Sequence, residues 1–200
     1  MKPGVEVDYL EKLRAVIGPA GGPGVAAASW RELEGELGVM LPEDLKVLTE
    51  WYAPIRLGWS IRISNPGTVN YNLGSHIRET VAAYRACSFS LDNFPGFSRA
   101  LGFGGPDGLI PVSGTAHGEE VFLLNDQLRG RWQIVVFVGD DLEFYQYDMG
   151  FAEWLYRYLV GEDMAGPNSA QDFPNPLPVA DLLAPGGAGP VERFGPRRPY

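Results

Sequence analysis

Two hundred residues with 45% hydrophobic side chains are enough to bury one sizeable core. Sixteen basic against 25 acidic residues give a formal charge of −9, which argues against a nucleic-acid or anionic-membrane surface and points to basic partners. The single cysteine, Cys87, excludes an internal disulfide and a cysteine-rich zinc site; with no signal core and no apolar run of about 18 residues, the chain reads as soluble and cytoplasmic.

Residues 8–17 place Leu10, Leu13 and Ile17 on one side and charges on the other, which predicts a first helix. Residues 18–28, GPAGGPGVAAA, oppose both helix and strand and predict a flexible connector. Residues 29–52 predict two helices around a tight corner. Ser29 and Glu32 have the spacing of a capping box, and Trp30, Leu33 and Leu37 form an apolar stripe. Gly38 suits the left-handed end of that helix, Pro42 the first position of the next, and Glu43 and Asp44 its positive end. Leu41, Leu45, Leu48 and Tyr52 carry the second stripe.

Residues 56–63 alternate, with Leu57, Trp59, Ile61 and Ile63 on one face and Arg56, Gly58, Ser60 and Arg62 on the other; this predicts one half-buried strand. Leu73, Ile77, Val81 and Tyr84 predict a helix over 74–87, and residues 88–108 are irregular. Residues 109–115 and 119–124 predict a hairpin around Ala116-His117-Gly118. Residues 132–138 and 142–147 predict a second around Gly139-Asp140-Asp141, with WQIVVFV apolar enough for a central strand. Phe151, Leu155, Tyr158 and Leu159 stripe a last helix that Gly161 ends. Beyond it proline and glycine concentrate without periodicity, so residues 163–200 read as a tail; Leu177, Val179, Leu182 and Leu183 would dock if part of it packed. The order is that of an α+β domain, a mostly antiparallel sheet packed with helices.

One set of residues carries a resemblance. Trp30, Leu33-Glu34, Gly38, Leu41-Pro42-Glu43-Asp44 and the aromatic pair Trp51-Tyr52 resemble the SUKH superfamily, which includes fungal cell-wall-assembly regulators of the SMI/KNR type and bacterial toxin-immunity proteins. Gly118-Glu119, then Phe122-Leu123-Leu124, then the strand from Trp132 and the helix from Phe151 continue the pattern, so that it covers residues 29–162. The N-terminal helix and linker (1–28) and the Pro/Gly-rich tail (163–200) fall outside it, and Tyr52-Ala53-Pro54 stands where members often have Tyr-Gly. The resemblance implies a SUKH-like fold and a protein that binds and neutralises a toxin domain. The alternative it implies is a scaffold or regulatory module of the SMI/KNR type, with the tail recruiting a partner.

The residues themselves call for no cofactor, no metal and no catalysis. His76, His117 and Cys87 are the candidates for nucleophile-and-base chemistry, and Cys87 at a helix end reads as a small buried hydrophobe. Gly102 to Gly108, GFGGPDG, lacks the phosphate-loop spacing, and no G-x-S-x-G surrounds Ser113. What remains is a binding surface. Glu119, Glu120, Asp140, Asp141 and Glu143 predict an acidic face that imitates a phosphate array and steers a basic partner, which the resemblance implies is a toxin domain such as a nuclease. Trp51 and Tyr52, about 100° apart on one helix, cannot both face inwards and are candidate aromatic anchors.

Overall fold

The computed structural model describes residues 8–127, 129–170, 177–182 and 191–195. Helices α1 (Tyr9–Ile17), α2 (Ala27–Leu37) and α3 (Glu43–Tyr52) precede strands β1 (Ile55–Leu57) and β2 (Ile61–Ile63). Helix α4 (Leu73–Ala86) and a 3-10 turn (Leu91–Asn93) follow. Then come β3 (Ile110–Gly114), β4 (Glu120–Asp126), β5 (Arg131–Val138), β6 (Glu143–Tyr147), α5 (Phe151–Leu159), β7 (Pro178–Asp181) and β8 (Val191–Phe194). The strands form one antiparallel sheet in the order β6-β5-β4-β3-β2-β1-β7-β8. The chain is α+β. Among the described residues no helix is long and apolar enough to cross a membrane.

Period-two alternation gives the sheet two different cores. On β4 and β5, Val121, Leu123, Ile134 and Val136 face a largely aliphatic cluster that takes in Leu13 of α1, Leu33 of α2, Leu48 of α3 and Leu155 of α5. Their neighbours Phe122, Val135 and Phe137 point the other way, into a cluster closed by Phe94, Phe103, Leu109 and Phe144. Helix α4 packs on β3 and adds the Tyr84 ring to this second cluster. Phe94 stacks on Phe144 with centroids 4.4 Å apart, and the Phe137 ring lies 4.8 Å from Phe144.

The helical corner forms with different caps. Helix α2 starts at Ala27, because the alanine run propagates helix readily, so Ser29 lies inside the first turn and Ala26 is the cap. Pro42 is the residue before α3 rather than its first helical position, with ψ at 142°. Gly38 takes the expected left-handed conformation, φ 71°. Buried Glu34 holds the corner: its Oε1 accepts the Leu41 N–H at 2.9 Å and lies 3.3 Å from Lys46 Nζ.

Three expectations are corrected. The stretch 56–63 is a hairpin, not one strand: Gly58 and Trp59 both have positive φ, and Ser60 N–H donates to Leu57 C=O at 3.1 Å. Three residues separate the paired Leu57 and Ile61, so the apolar parity survives the turn while Trp59 moves to the surface. The connector is laid against α3, with Gly21 and Gly22 N–H groups donating to Trp51 C=O. The tail contributes to the sheet: β7 pairs with β1, and Leu177, Val179 and Leu182 are buried. Leu183 lies outside the described residues.

Candidate interaction surface

Antiparallel pairing brings three hairpin tips to one end of the sheet: residues 58–60, 115–119 and 139–142. Ala116 N–H donates to Ser60 C=O at 3.1 Å, which ties the first two tips together. Asp140 and Asp141 are exposed on the third. Glu143 accepts the Tyr145 hydroxyl at 2.5 Å, and Asp141 lies 3.5 Å from the same oxygen. Donation to Glu143 pushes the Tyr145 phenol well above its ordinary value, with burial and the two carboxylate charges adding to it. Glu119, half-buried, accepts the Thr115 hydroxyl.

Glu120 does not join this rim. One residue on from Glu119, it points to the opposite side of the sheet, where its Oε1 meets His76 Nε2 at 2.8 Å. Burial raises its carboxyl pKa, and the hydrogen bond and charge of His76, with Arg62, pull it back down. Tyr52 is also corrected: it is buried, and its hydroxyl donates to Gly18 C=O at 2.8 Å. Trp51 is half-buried, set edge-on to Tyr52 with the Arg14 guanidinium 5.9 Å from its ring. Both aromatics precede β1, at the end of the strand away from the hairpin tips. The structure thus gathers Glu119, Asp140, Asp141 and Glu143, and separates them from Glu120, Trp51 and Tyr52.

Sequence reasoning missed the rim's apolar part. Leu142 is 55% exposed, and Leu91 in the 3-10 turn is exposed beside Asp92. Asn93 Nδ2 donates to Leu142 C=O at 2.8 Å and fixes that turn against the tip. Leu142 has φ 55°, a left-handed conformation that asparagine or glycine fills at less cost. A leucine directly after Gly139-Asp140-Asp141, where turn chemistry favours small polar residues, was the available signal. Trp59 (φ 61°) and Tyr71 (φ 52°) share the anomaly, so three large apolar residues are left-handed and exposed at once. Such strain costs of order 1–3 kcal/mol per residue and clusters where chains act on something.

The candidates for chemistry are apart. His117 is exposed at a loop tip and His76 is engaged by Glu120. Cys87 is exposed rather than buried, because it ends α4 where the chain turns off; its thiol lies 3.4 Å from Ala83 C=O. In the glycine loop, Gly104 N–H donates to Leu109 C=O and the Phe103 carbonyl takes two bonds from Arg85, so these groups serve the loop itself. No group of three or more His, Cys, Asp or Glu that could hold a metal ion occurs among the described residues. No family model, no curated protein and no solved structure matches the chain.

Proposed function

We propose that the chain is a non-catalytic protein-binding domain of the SUKH kind, an immunity protein that occupies a basic face of a toxin domain in the cytoplasm. The observation that carries the reading is Leu142. A strained, exposed leucine between Asp141 and Glu143 has the anatomy of an interface anchor, an apolar residue with a charged border. Asp140, Asp141, Glu143, Glu119 and Asp92 supply the border, and the net charge of −9 adds a long-range field of the same sign. That field speeds encounter with a basic partner and repels nucleic acid. A nuclease domain, basic where it holds phosphates, meets this requirement.

Capture of the tagged protein from its own cells, washed at low and then high salt, tests the proposal. The expected result is one basic protein at equal stoichiometry that is toxic when expressed alone and is lost with D140K/D141K/E143K. Capture of nothing, or of a protein indifferent to those reversals, would count against it. Removing residues 163–200 does not discriminate a scaffold from an immunity protein, since it also strips β7 from β1.

A further inference from the structure

A single row of paired residues crosses the whole sheet on the side opposite the aliphatic core: Phe144, Phe137, Glu120, Gly114, Arg62, Arg56, Ala180, Glu192. Directly paired residues share a side, with Cβ atoms roughly 5 Å apart. Arg56 and Arg62 therefore stand next to each other, a like-charge pair that an antiparallel ladder ordinarily disfavours. No carboxylate lies within 4 Å of either guanidinium among the described residues, and neither side chain hydrogen-bonds to the protein there. Arg56 Nε is buried and has no hydrogen-bond partner. Two acids stand two places away in the row: Glu120 beyond Gly114, hydrogen-bonded to His76 and feeling the Arg62 charge, and exposed Glu192 beyond Ala180.

Both arginines are half-buried. Their neighbours in the row, Gly114 and Ala180, are the two smallest residue types, so neither fills the space beside the guanidiniums with a long side chain. The Arg56 guanidinium lies 5.3 Å from the Trp59 ring, and that of Arg62 lies 6.0 Å from the Tyr71 ring. These rings are 42% and 41% exposed and are two of the three strained residues. A Cβ at position 114 would stand 2.9 Å from Glu120 Oε2, so a side chain there would collide with the carboxylate or displace it.

We propose that Arg56 and Arg62, flanked by Trp59 and Tyr71, form a binding site for a phosphate monoester that carries a flat ring, of which a nucleoside monophosphate is the plainest example. Two planar guanidinium forks match the oxygens of one phosphoryl group, and two positive charges balance its two negative ones. The exposed aromatic faces stack the attached ring. A carboxylate, with one charge and two oxygens, leaves half of the array unused. This site lies on β1 and β2, away from the Leu142 rim, and stands or falls independently of the proposed partner.

The test is calorimetric titration of the full chain at low salt with AMP, inorganic phosphate and adenosine. AMP is expected to bind saturably with a Kd at or below about 1 mM. Phosphate should bind about tenfold more weakly, and adenosine without measurable heat. Arg62→Ala should weaken AMP about tenfold or more while leaving the melting temperature unchanged or higher, because it relieves the like-charge pair. Arg56→Lys keeps the charge and loses the fork; it should weaken AMP severalfold and serves as a second, milder probe. Absence of saturable AMP binding, adenosine binding as tightly as AMP, or AMP affinity unmoved by both arginine variants would overturn the proposal.

Discussion

On β4 and β5 the side of the sheet away from the aliphatic core holds Phe122, Phe137 and two partnered carboxylates: Glu120, which His76 meets at 2.8 Å, and Asp126, 3.5 Å from the Arg129 guanidinium. Along the same row on β2 and β1, two guanidiniums stand side by side without a carboxylate partner among the described residues. The first half is covered by α4 and the phenylalanine cluster, and there burial raises the Glu120 carboxyl pKa, opposed only in part by the hydrogen bond and charge of His76 and by Arg62. In the second half, aromatic rings lie 5.3 and 6.0 Å from the guanidiniums, and Glu120 reaches Arg62 only through its charge. The same sheet is thus a closed aromatic core on one half and a partly exposed polar face on the other. The acidic rim lies at the tips of the β3–β4 and β5–β6 hairpins, beside the covered half.

Deleting residues 163–200 should break the open half outright. It uncovers the β1 edge and removes Leu177 and Val179, each worth about 1.5–3 kcal/mol of burial, so thermal melting should show a large loss of stability and aggregation should follow. Phe144→Ala attacks the covered half instead. It removes a fully buried ring packed on Phe94, Phe137 and Tyr84, and denaturant unfolding should report a loss of about 3–5 kcal/mol.

Smaller effects sharpen the contrast. Leu142→Asn should raise stability by about 1 kcal/mol, because asparagine tolerates the left-handed backbone, and should weaken partner binding. Trp59→Asn should gain less, since it also gives up the contact with Arg56. Glu120→Gln keeps an acceptor for His76 and removes a charge whose pKa burial holds above 4.5. The native carboxyl binds its proton more readily than the unfolded one, so its stabilising contribution is full below about 4.5 and fades as pH rises through the raised value. The Gln variant should therefore gain on the wild type between pH 4 and pH 7 in paired melting curves. A constant offset would show that Glu120 is not the group responsible.

Sequence periodicity located the five helices and the β3–β6 hairpins because each is a local pattern with its own stops. It misread residues 56–63 because a three-residue turn leaves the alternation of Leu57, Ile61 and Ile63 in phase. It missed the burial of residues 177–182 because four residues of strand pairing with β1 carry no periodic signal and depend on an edge more than 100 residues earlier. The acidic residues of the rim were legible as hairpin-loop charges. That Glu119 and Glu120 face opposite sides follows from the predicted strand over 119–124, but the partner of Glu120, His76 on α4, was not legible. The arginine pair shows only once the register Arg56↔Arg62 is known.

On the function proposed above, the Leu142 rim steers and docks a basic protein. The most direct test is the association rate of the captured partner against ionic strength, for the wild type and for D140K/D141K/E143K. Wild-type association should be fast at low salt and fall steeply as salt rises, with the variant about tenfold slower or more at low salt and nearly flat. Equal rates and equal slopes for the two proteins would contradict the claim and move the interface elsewhere on the molecule.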